Sequence, residues 1–260
     1  MDPQRVRIYH TEALVLHARD LGEADRVLTL ASPLGKLRAV AKGVRRVHSR
    51  KAGHLDLFMR SELQLARGSQ LDIITQAQCI ESYDALRGDA LRFASACYAA
   101  ELVDAVLPEE EQPELYQLIV QVLQLIDQAD SPELWLRYLD IKLLEGTGFQ
   151  PELYRCVRCQ AEIQPAVNYF GFNLGGLVCA DCRSAGALAV SVHTQKLLRY
   201  IQRHGAEGVA RLVVAPSTLR EAEALLVAYW QHVLEREIRS AAAIRQLRQP
   251  ASNENLSQAG

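Results

Sequence analysis

The feature that most constrains the fold is a set of four cysteines in the second half of the chain. They form the pattern Cys156-x2-Cys159-x19-Cys179-x2-Cys182. Two residues between thiols allow a tight turn to aim both sulfur atoms at one point, and two such turns can surround one ion tetrahedrally. Because four thiolates leave no open coordination position, the pattern predicts one structural Zn²⁺ and not a catalytic one.

Other uses of these cysteines fit the sequence less well. Two disulfides would need an oxidising compartment, and the polar start MDPQRVRIYH is not a secretory signal. A redox dithiol usually uses one Cys-x-x-Cys pair on a thioredoxin-like frame. His10-x-Glu12 matches half of a zinc deaminase signature, but neither cysteine pair follows a Pro. Cys79 and Cys97 stand alone among apolar residues and are interpreted as small buried side chains.

The first 80 residues read as strands, because short alternating segments are separated by turn signals. The predicted strands cover residues 11–18, 26–31, 36–42, 55–66 and 71–79. Five short strands are typical of an oligonucleotide-binding (OB) fold, and we expect a five-stranded OB barrel over residues 1–80. The pattern also permits an SH3-like barrel.

Helical periodicity replaces alternation after Tyr83, so we expect a multidomain β + α protein. A helical bundle is predicted over residues 81–249, with a cysteine-rich insert at residues 148–188 and a disordered tail at residues 250–260. The insert has no clear helix or core of its own, so we expect metal binding to order it. Thr218-x-x-Glu221 has the form of a capping box and predicts one long helix to about Gln246.

Charge is distributed unevenly along the chain. Residues 1–87 contain 14 basic and 10 acidic side chains, whereas the remainder contains 15 and 21. Residues 36–51 contain no acidic residue, and their basic residues are the candidate phosphate contacts: Lys36, Arg38, Lys42, Arg45, Arg46, Arg50 and Lys51. A basic strand followed by a mobile basic loop would suit phosphate binding by counterion release.

Base readout is expected to be minor, because aromatic residues are sparse in this region: Tyr9, Phe58 and Tyr83. The alternative reading is an RNA-binding or ribosome-associated zinc protein, since a small barrel with a zinc knuckle would suit that role too. Phosphate loops, Gly-x-Ser-x-Gly elbows and His-Glu-x-x-His motifs are missing from the sequence, so we predict a non-enzymatic protein. No apolar run is long enough for a membrane span, and we expect a cytoplasmic location.

Several motifs resemble the RecO family of bacterial recombination mediators. In order along the chain they are Glu23-Ala24-Asp25-Arg26, Gly35-Lys36-Leu37, the run from Ala39 to Arg46, Ser49-Arg50-Lys51, Leu57-Phe58 and Gly146-Thr147-Gly148-Phe149 before the first cysteine pair. The resemblance covers residues 8 to about 246.

The resemblance implies an OB-fold domain followed by a helical domain with a zinc finger. It implies binding of single- and double-stranded DNA, with the seven basic residues of 36–51 as the DNA contacts. It also implies annealing of complementary strands, and partners in RecR and single-stranded-DNA-binding protein. With RecR, such a protein helps to load RecA onto coated single strands and associates with the nucleoid. For the acidic tail of single-stranded-DNA-binding protein, the candidate contacts are Arg137, Lys142, Arg199 and Arg203.

Overall fold

The structure is a computed structural model that describes residues 8–248. The tail predicted at residues 250–260 lies outside the described residues. Within residues 8–248, no helix is long and apolar enough to cross a membrane.

The first half of the described chain begins with a closed five-stranded barrel. Its strands are β1 (Ile8–Leu21), β2 (Asp25–Ser32), β3 (Gly35–Ala41), β4 (Arg60–Ala66) and β5 (Asp72–Glu81). The strand order is β1-β2-β3-β5-β4, and β3 pairs with β5 in parallel while the other neighbours are antiparallel. This five-stranded, non-sequential barrel is OB-like, so the structure confirms that prediction.

The alternation read from the sequence describes the inside of the barrel. Ala39 and Ala41 of β3 are buried with Leu28 and Leu30 of β2, and Leu37 packs against the same cluster. One boundary prediction was wrong, because β4 begins at Arg60 and not near residue 55. The strand cannot extend back through Phe58, because that residue has a left-handed φ of 64°.

Eight helices follow within the described part of the chain. They are α1 (Asp84–Gly88), α2 (Ala90–Val106), α3 (Pro113–Gln128), α4 (Glu133–Gly146), α5 (Val192–Arg203), α6 (Ala206–Val209), α7 (Pro216–Leu234) and α8 (Arg239–Arg248). Local signals position their starts: the Asp89 carboxylate accepts a hydrogen bond from the Arg92 amide at 2.8 Å, and Ser191 Oγ accepts one from the Thr194 amide.

The long helix predicted from Thr218 to Gln246 is in fact two helices. Glu235 adopts a left-handed φ of 52° after α7, and the chain resumes as α8. The capping-box prediction was also wrong, because α7 begins at Pro216, upstream of Thr218. Glu221 instead accepts hydrogen bonds from Ser191 at the start of α5.

The cysteine-rich insert contains a small antiparallel sheet. Its strands are β6 (Asn168–Gly171), β7 (Gly176–Val178) and β8 (Leu188–Val190), in the order β7-β6-β8. The expectation that the insert lacks a core was wrong. Its apolar side chains join the buried core of the helices: Leu153, Ile163, Phe170, Leu177 and Val178. Apolar packing on α7, including Phe170 against Tyr229 with ring centroids 5.0 Å apart, therefore helps to order the insert.

The barrel and the helices share a buried contact. Leu14 and Leu16 of β1 and Ala31 of β2 belong to the helical core, separate from the cluster inside the barrel. Burial of these side chains fixes the barrel against the helices.

Candidate nucleic-acid interface and metal centre

The seven basic residues predicted to contact DNA divide into two groups. Four are exposed and have no ion-pair partner among residues 8–248: Arg38, Lys42, Arg46 and Arg50. The other three have partners within the molecule: Lys36, Arg45 and Lys51. Only the first group is available to phosphates without breaking an existing contact.

Lys36 connects the barrel to α2. Its Nζ donates to the main-chain oxygen of Asp104 at 2.6 Å and lies 3.5 Å from the Asp104 carboxylate. His17 Nε2 approaches the same carboxylate at 3.6 Å. The side chain of Lys36 therefore serves a contact between the two parts of the protein, which the sequence pattern did not indicate.

Arg45 and Lys51 are held against the barrel. Arg45 Nε lies 3.4 Å from the Asp20 carboxylate, and its Nη1 donates to the Gly22 oxygen. Lys51 Nζ donates to the main-chain oxygen of Ile74 at 3.0 Å. Partial burial lowers the pKa of Lys51, although Asp25 acts in the opposite direction. Both side chains are therefore less free than the sequence suggested.

The basic loop is a series of turns rather than a loose connection. We call residues 42–51 the cationic turn segment. Val44 is buried inside the barrel, and the Gly43 amide donates to the Asp25 carboxylate at 2.7 Å. Main-chain bonds from Arg46 to Gly43 and from Ser49 to Arg46 close consecutive turns. With the segment anchored in this way, Lys42, Arg46 and Arg50 remain exposed to solvent.

The three aromatic residues of the barrel region are not free stacking platforms. Phe58 and Tyr83 are each 2% exposed and lie in the contact with the helices. The Tyr9 hydroxyl donates to the Asp72 carboxylate at 2.5 Å, and Arg67 lies over the Tyr9 ring. Burial, followed by the contact with Asp72, raises the pKa of Tyr9. This arrangement favours phosphate contacts over base stacking.

The four predicted ligand cysteines come together at one end of the insert. Their Sγ atoms all lie within 4.8 Å of one another, and those of Cys159 and Cys179 are 3.8 Å apart. A tetrahedron with Zn–S bonds of ~2.3 Å has sulfur–sulfur edges of about 3.8 Å, so the cluster has the size for one ion. Gln160, with a left-handed φ of 62°, completes the first turn.

The environment of the cluster favours thiolate at Cys156. Burial acts to raise the pKa of Cys156, but main-chain donors at Cys159, Cys179 and Arg158 outweigh it and lower the pKa to about 6. The two other cysteines, Cys79 and Cys97, are half-buried, less than predicted, and burial raises the pKa of both thiols. Four sulfur atoms within 4.8 Å of one another are suited to a thiophilic metal, whereas Cys79 and Cys97 are not part of this cluster.

Comparison with known proteins gives matches along almost the whole chain. Residues 6–83 match the family model "Recombination protein O N terminal", and residues 87–242 match "Recombination protein O C terminal". The chain is 41% identical over 248 residues to DNA repair protein RecO of Roseiflexus sp. strain RS-1, covering 94% of this chain and 88% of the relative. It is 39% identical over 232 residues to DNA repair protein RecO of Dehalococcoides mccartyi strain BAV1, covering 88% and 92%.

The chain belongs to the RecO family of DNA repair and recombination proteins. The resemblance stated from the sequence is thereby confirmed.

Four basic residues of the helical part were the candidate contacts for the acidic tail of single-stranded-DNA-binding protein. Arg137 is an unsuitable candidate, because it is buried beside Asp140, with Nη2 3.0 Å from the carboxylate. Tyr98 and Trp230 donate hydrogen bonds to the same carboxylate. Lys142 donates to the main-chain oxygen of Gln202.

The other two candidates are also engaged. Arg199 donates to the main-chain oxygen of Leu153 at 2.6 and 2.8 Å. Arg203 stacks over the Tyr154 ring, with its guanidinium carbon 4.6 Å from the ring centroid. These contacts hold the insert against α5, so Arg199 and Arg203 have a structural role within the molecule.

A different surface of this RecO-family chain combines an exposed lysine with apolar side chains. We call it the basic groove, a cavity of about 360 Å³ between α5 and the start of α7. Its lining includes His193, Lys196, Leu197, Tyr200 and Val213. Val213 is fully exposed. The sequence signal that could have found it is the exposed apolar run after Arg211, which lies between two predicted helices.

Proposed function

We propose that this chain binds single- and double-stranded DNA through Arg38, Lys42, Arg46 and Arg50. The observation that carries the proposal is the exposure of these four cations without carboxylate partners in the described range. Phosphate neutralisation by such side chains releases counterions and depends little on base sequence. The barrel aromatics are already engaged, which supports a backbone-dominated mode.

Strand annealing follows from the same surface. Two complementary strands repel each other through their phosphates, and cations that reduce this repulsion raise their rate of encounter. Base pairing then supplies the stability of the product. The chain in this role makes and breaks no covalent bond, so we propose a non-enzymatic protein.

The metal centre has a structural role in this proposal. Cys156, Cys159, Cys179 and Cys182 would hold one Zn²⁺, and four thiolates would leave no position for a reacting water. We propose that residues 1–80 form the DNA-binding domain. Residues 81–249, with the insert at residues 148–188, would then hold the partner surfaces.

The partner surfaces would serve RecR and the C-terminal tail of single-stranded-DNA-binding protein. For the tail we propose the basic groove, because Lys196 would attract acidic residues while Leu197 and Val213 receive apolar ones. With RecR, the protein would then help to load RecA onto coated single strands. Such a role fits a cytoplasmic, nucleoid-associated protein.

The DNA surface is tested by binding measurements across a salt series. The logarithm of the DNA-binding constant should fall linearly with the logarithm of the salt concentration. Replacing Arg38, Lys42, Arg46 and Arg50 together by Gln should make this slope shallower by about 3. The matched control replaces four exposed arginines of the helical part by Gln: Arg155, Arg158, Arg211 and Arg220. An unchanged slope in the first variant, or an equal loss in the control, would disprove the assignment. Structured RNA as competitor tests the RNA-binding alternative.

The wider role is tested by strand annealing on DNA coated with the cognate single-stranded-DNA-binding protein, with and without RecR. Lys196→Glu should weaken annealing on coated DNA while leaving annealing of bare DNA intact. Equal effects on coated and bare strands would show that the basic groove is not the tail site.

A further inference from the structure

A second groove differs from the basic groove in the charge of the residues near it. It is a cavity of about 380 Å³ where the ends of α2, α4 and α7 meet the start of α3. We call it the acidic groove. Its apolar lining includes Val106, Leu115, Phe149, Val233 and Leu234, and the Phe149 side chain is 47% exposed. An exposed aromatic ring in a cavity of this size can receive an apolar side chain from outside.

Several residues that line this groove have exposed acidic neighbours in the chain. Pro108 is followed by the exposed Glu109, Glu110 and Glu111; Glu114 precedes Leu115; and Glu235 follows Leu234. Glu145, beside Gly146, is neutralised by Lys142 at 3.0 Å, and Arg236 is the basic residue next to Glu235. These neighbours of the lining residues carry a net negative charge, so a cationic segment with an apolar residue would fit.

The cationic turn segment has this chemistry. Val47 is 95% exposed at its tip and is flanked by Arg45, Arg46, His48 and Arg50. An almost fully exposed valine between cations gains nothing from its own fold, because the buried anchor of the segment is Val44. Its burial in another surface would be favourable by the hydrophobic effect.

The segment cannot reach the groove of its own molecule. The β2–β3 turn contacts two residues that line the groove: the Lys36 amide donates to the Pro108 oxygen, and the Gln112 amide donates to the Pro33 oxygen. The cationic turn segment begins at the far end of β3, about 20 Å away along the strand. Its turns are also fixed there by Val44. A second copy of the chain can supply the same segment without this restriction.

We propose that copies of this chain associate head to tail, with the cationic turn segment of one copy in the acidic groove of the next. Such a contact is heterologous and can continue into short chains of molecules. The small segment makes a weak, salt-sensitive contact. If the proposed DNA surface is correct, DNA and self-association compete for the same cations, so DNA shifts the protein towards monomers.

Sedimentation of the full chain from micromolar to near-millimolar concentration tests the proposal. We expect reversible association at low salt that weakens at high salt. Val47→Ser and Phe149→Ser should each raise the dissociation constant about tenfold, since each removes one apolar contact. Val213→Ser is the matched control, because it changes an equally exposed valine in the basic groove. A monomer at every concentration, or equal weakening by the control, would overturn the proposal.

Mixing the two variants distinguishes this contact from misfolding or a symmetric dimer. The Val47→Ser protein keeps its groove and the Phe149→Ser protein keeps its segment, so the mixture should recover pairs but not longer chains. No recovery overturns the head-to-tail geometry. Val47→Ser removes no charge, so its DNA affinity reports separately on the proposed function: loss of association with unchanged DNA binding supports only the present inference.

Discussion

Lys36 Nζ lies 2.6 Å from the main-chain oxygen of Asp104, which joins the most basic stretch of the barrel to α2. The neighbouring Gly35 supports the same contact. It has a φ of +95°, and a Cβ there would lie 2.2 Å from the Glu110 oxygen. The Gly35-Lys36 pair of the sequence motif therefore has a structural reason within this molecule: it allows the β2–β3 turn to pack closely on residues 108–112.

Lys36→Gln and Arg38→Gln should change different properties of the protein. Lys36→Gln removes the charged hydrogen bond to Asp104, so it should lower the free energy of unfolding by about 1 kcal/mol without changing the salt slope of DNA binding. Arg38→Gln should reduce that slope by about 1 and leave stability unchanged. Denaturant unfolding and salt-dependent binding measure both variants. If Lys36→Gln lowers the slope as much as Arg38→Gln, its contact with Asp104 opens when DNA binds.

Gly35→Ala should destabilise the protein by more than about 2 kcal/mol, because it combines left-handed strain with a main-chain collision. Gly22→Ala is the control. Gly22 has a φ of +60° and nothing within 4 Å of an added Cβ, so strain alone should cost about 1 kcal/mol. Thermal or denaturant unfolding checks the difference. Equal losses would mean that the turn moves away from residues 108–112 at little cost.

Metal removal should have a local effect. Cys156→Ser or chelation should release the proposed Zn²⁺ and expose residues 156–160 and 179–187 to protease. The sheet of the insert should persist, since Phe170 and Leu177 remain in the helical core. Metal analysis and limited proteolysis measure these outcomes, with Cys97→Ser as the control outside the cluster. Metal retention by Cys156→Ser would contradict the ligand assignment, and cleavage throughout residues 148–188 would contradict the role given to packing.

The Glu221 carboxylate should make stability depend on pH. Burial acts to raise the pKa of Glu221, but hydrogen bonds from Ser191 and Thr194 outweigh it and lower the pKa below 4.5. A depressed pKa stabilises the fold above pH 4.5, and this contribution is lost as pH falls through the folded-state value. Glu221→Gln weakens these hydrogen bonds, so it should lower the free energy of unfolding at neutral pH by no more than about 1 kcal/mol, because solvent screens the partly exposed carboxylate; the difference should shrink in acid.

Denaturant unfolding at a series of pH values measures this difference. Glu207→Gln is the control, because its exposed side chain accepts no hydrogen bond from other described residues. A constant difference between wild type and Glu221→Gln down to pH 3 would show that the hydrogen bonds do not depend on ionisation.

Short sequence patterns were sufficient to predict the elements whose geometry depends on a few neighbouring residues. Alternation in β3, the turn at Pro33 to Gly35, and the spacing of the four cysteines are all encoded within a few residues of each other. They predicted the barrel and the cysteine cluster because side-chain direction in a strand and sulfur direction in a tight turn depend on the nearby backbone. Glu221 shows the limit: the Thr218-x-x-Glu221 pattern does not form a capping box, and Ser191, 30 residues away, donates to the Glu221 carboxylate instead.

What the sequence by itself determined is the inventory: a small β-barrel, a helical remainder, four clustered thiols and a run of cations. The tertiary structure decided which members of that run are free, because Lys36 meets Asp104 from 68 residues away and Lys51 meets Ile74 only after the barrel closes. It also buried Phe170 and Leu177 in the helical core and formed both grooves. The physical reason is that ion pairing, burial and cavity shape depend on contacts between distant segments, whose partners are not encoded by local spacing.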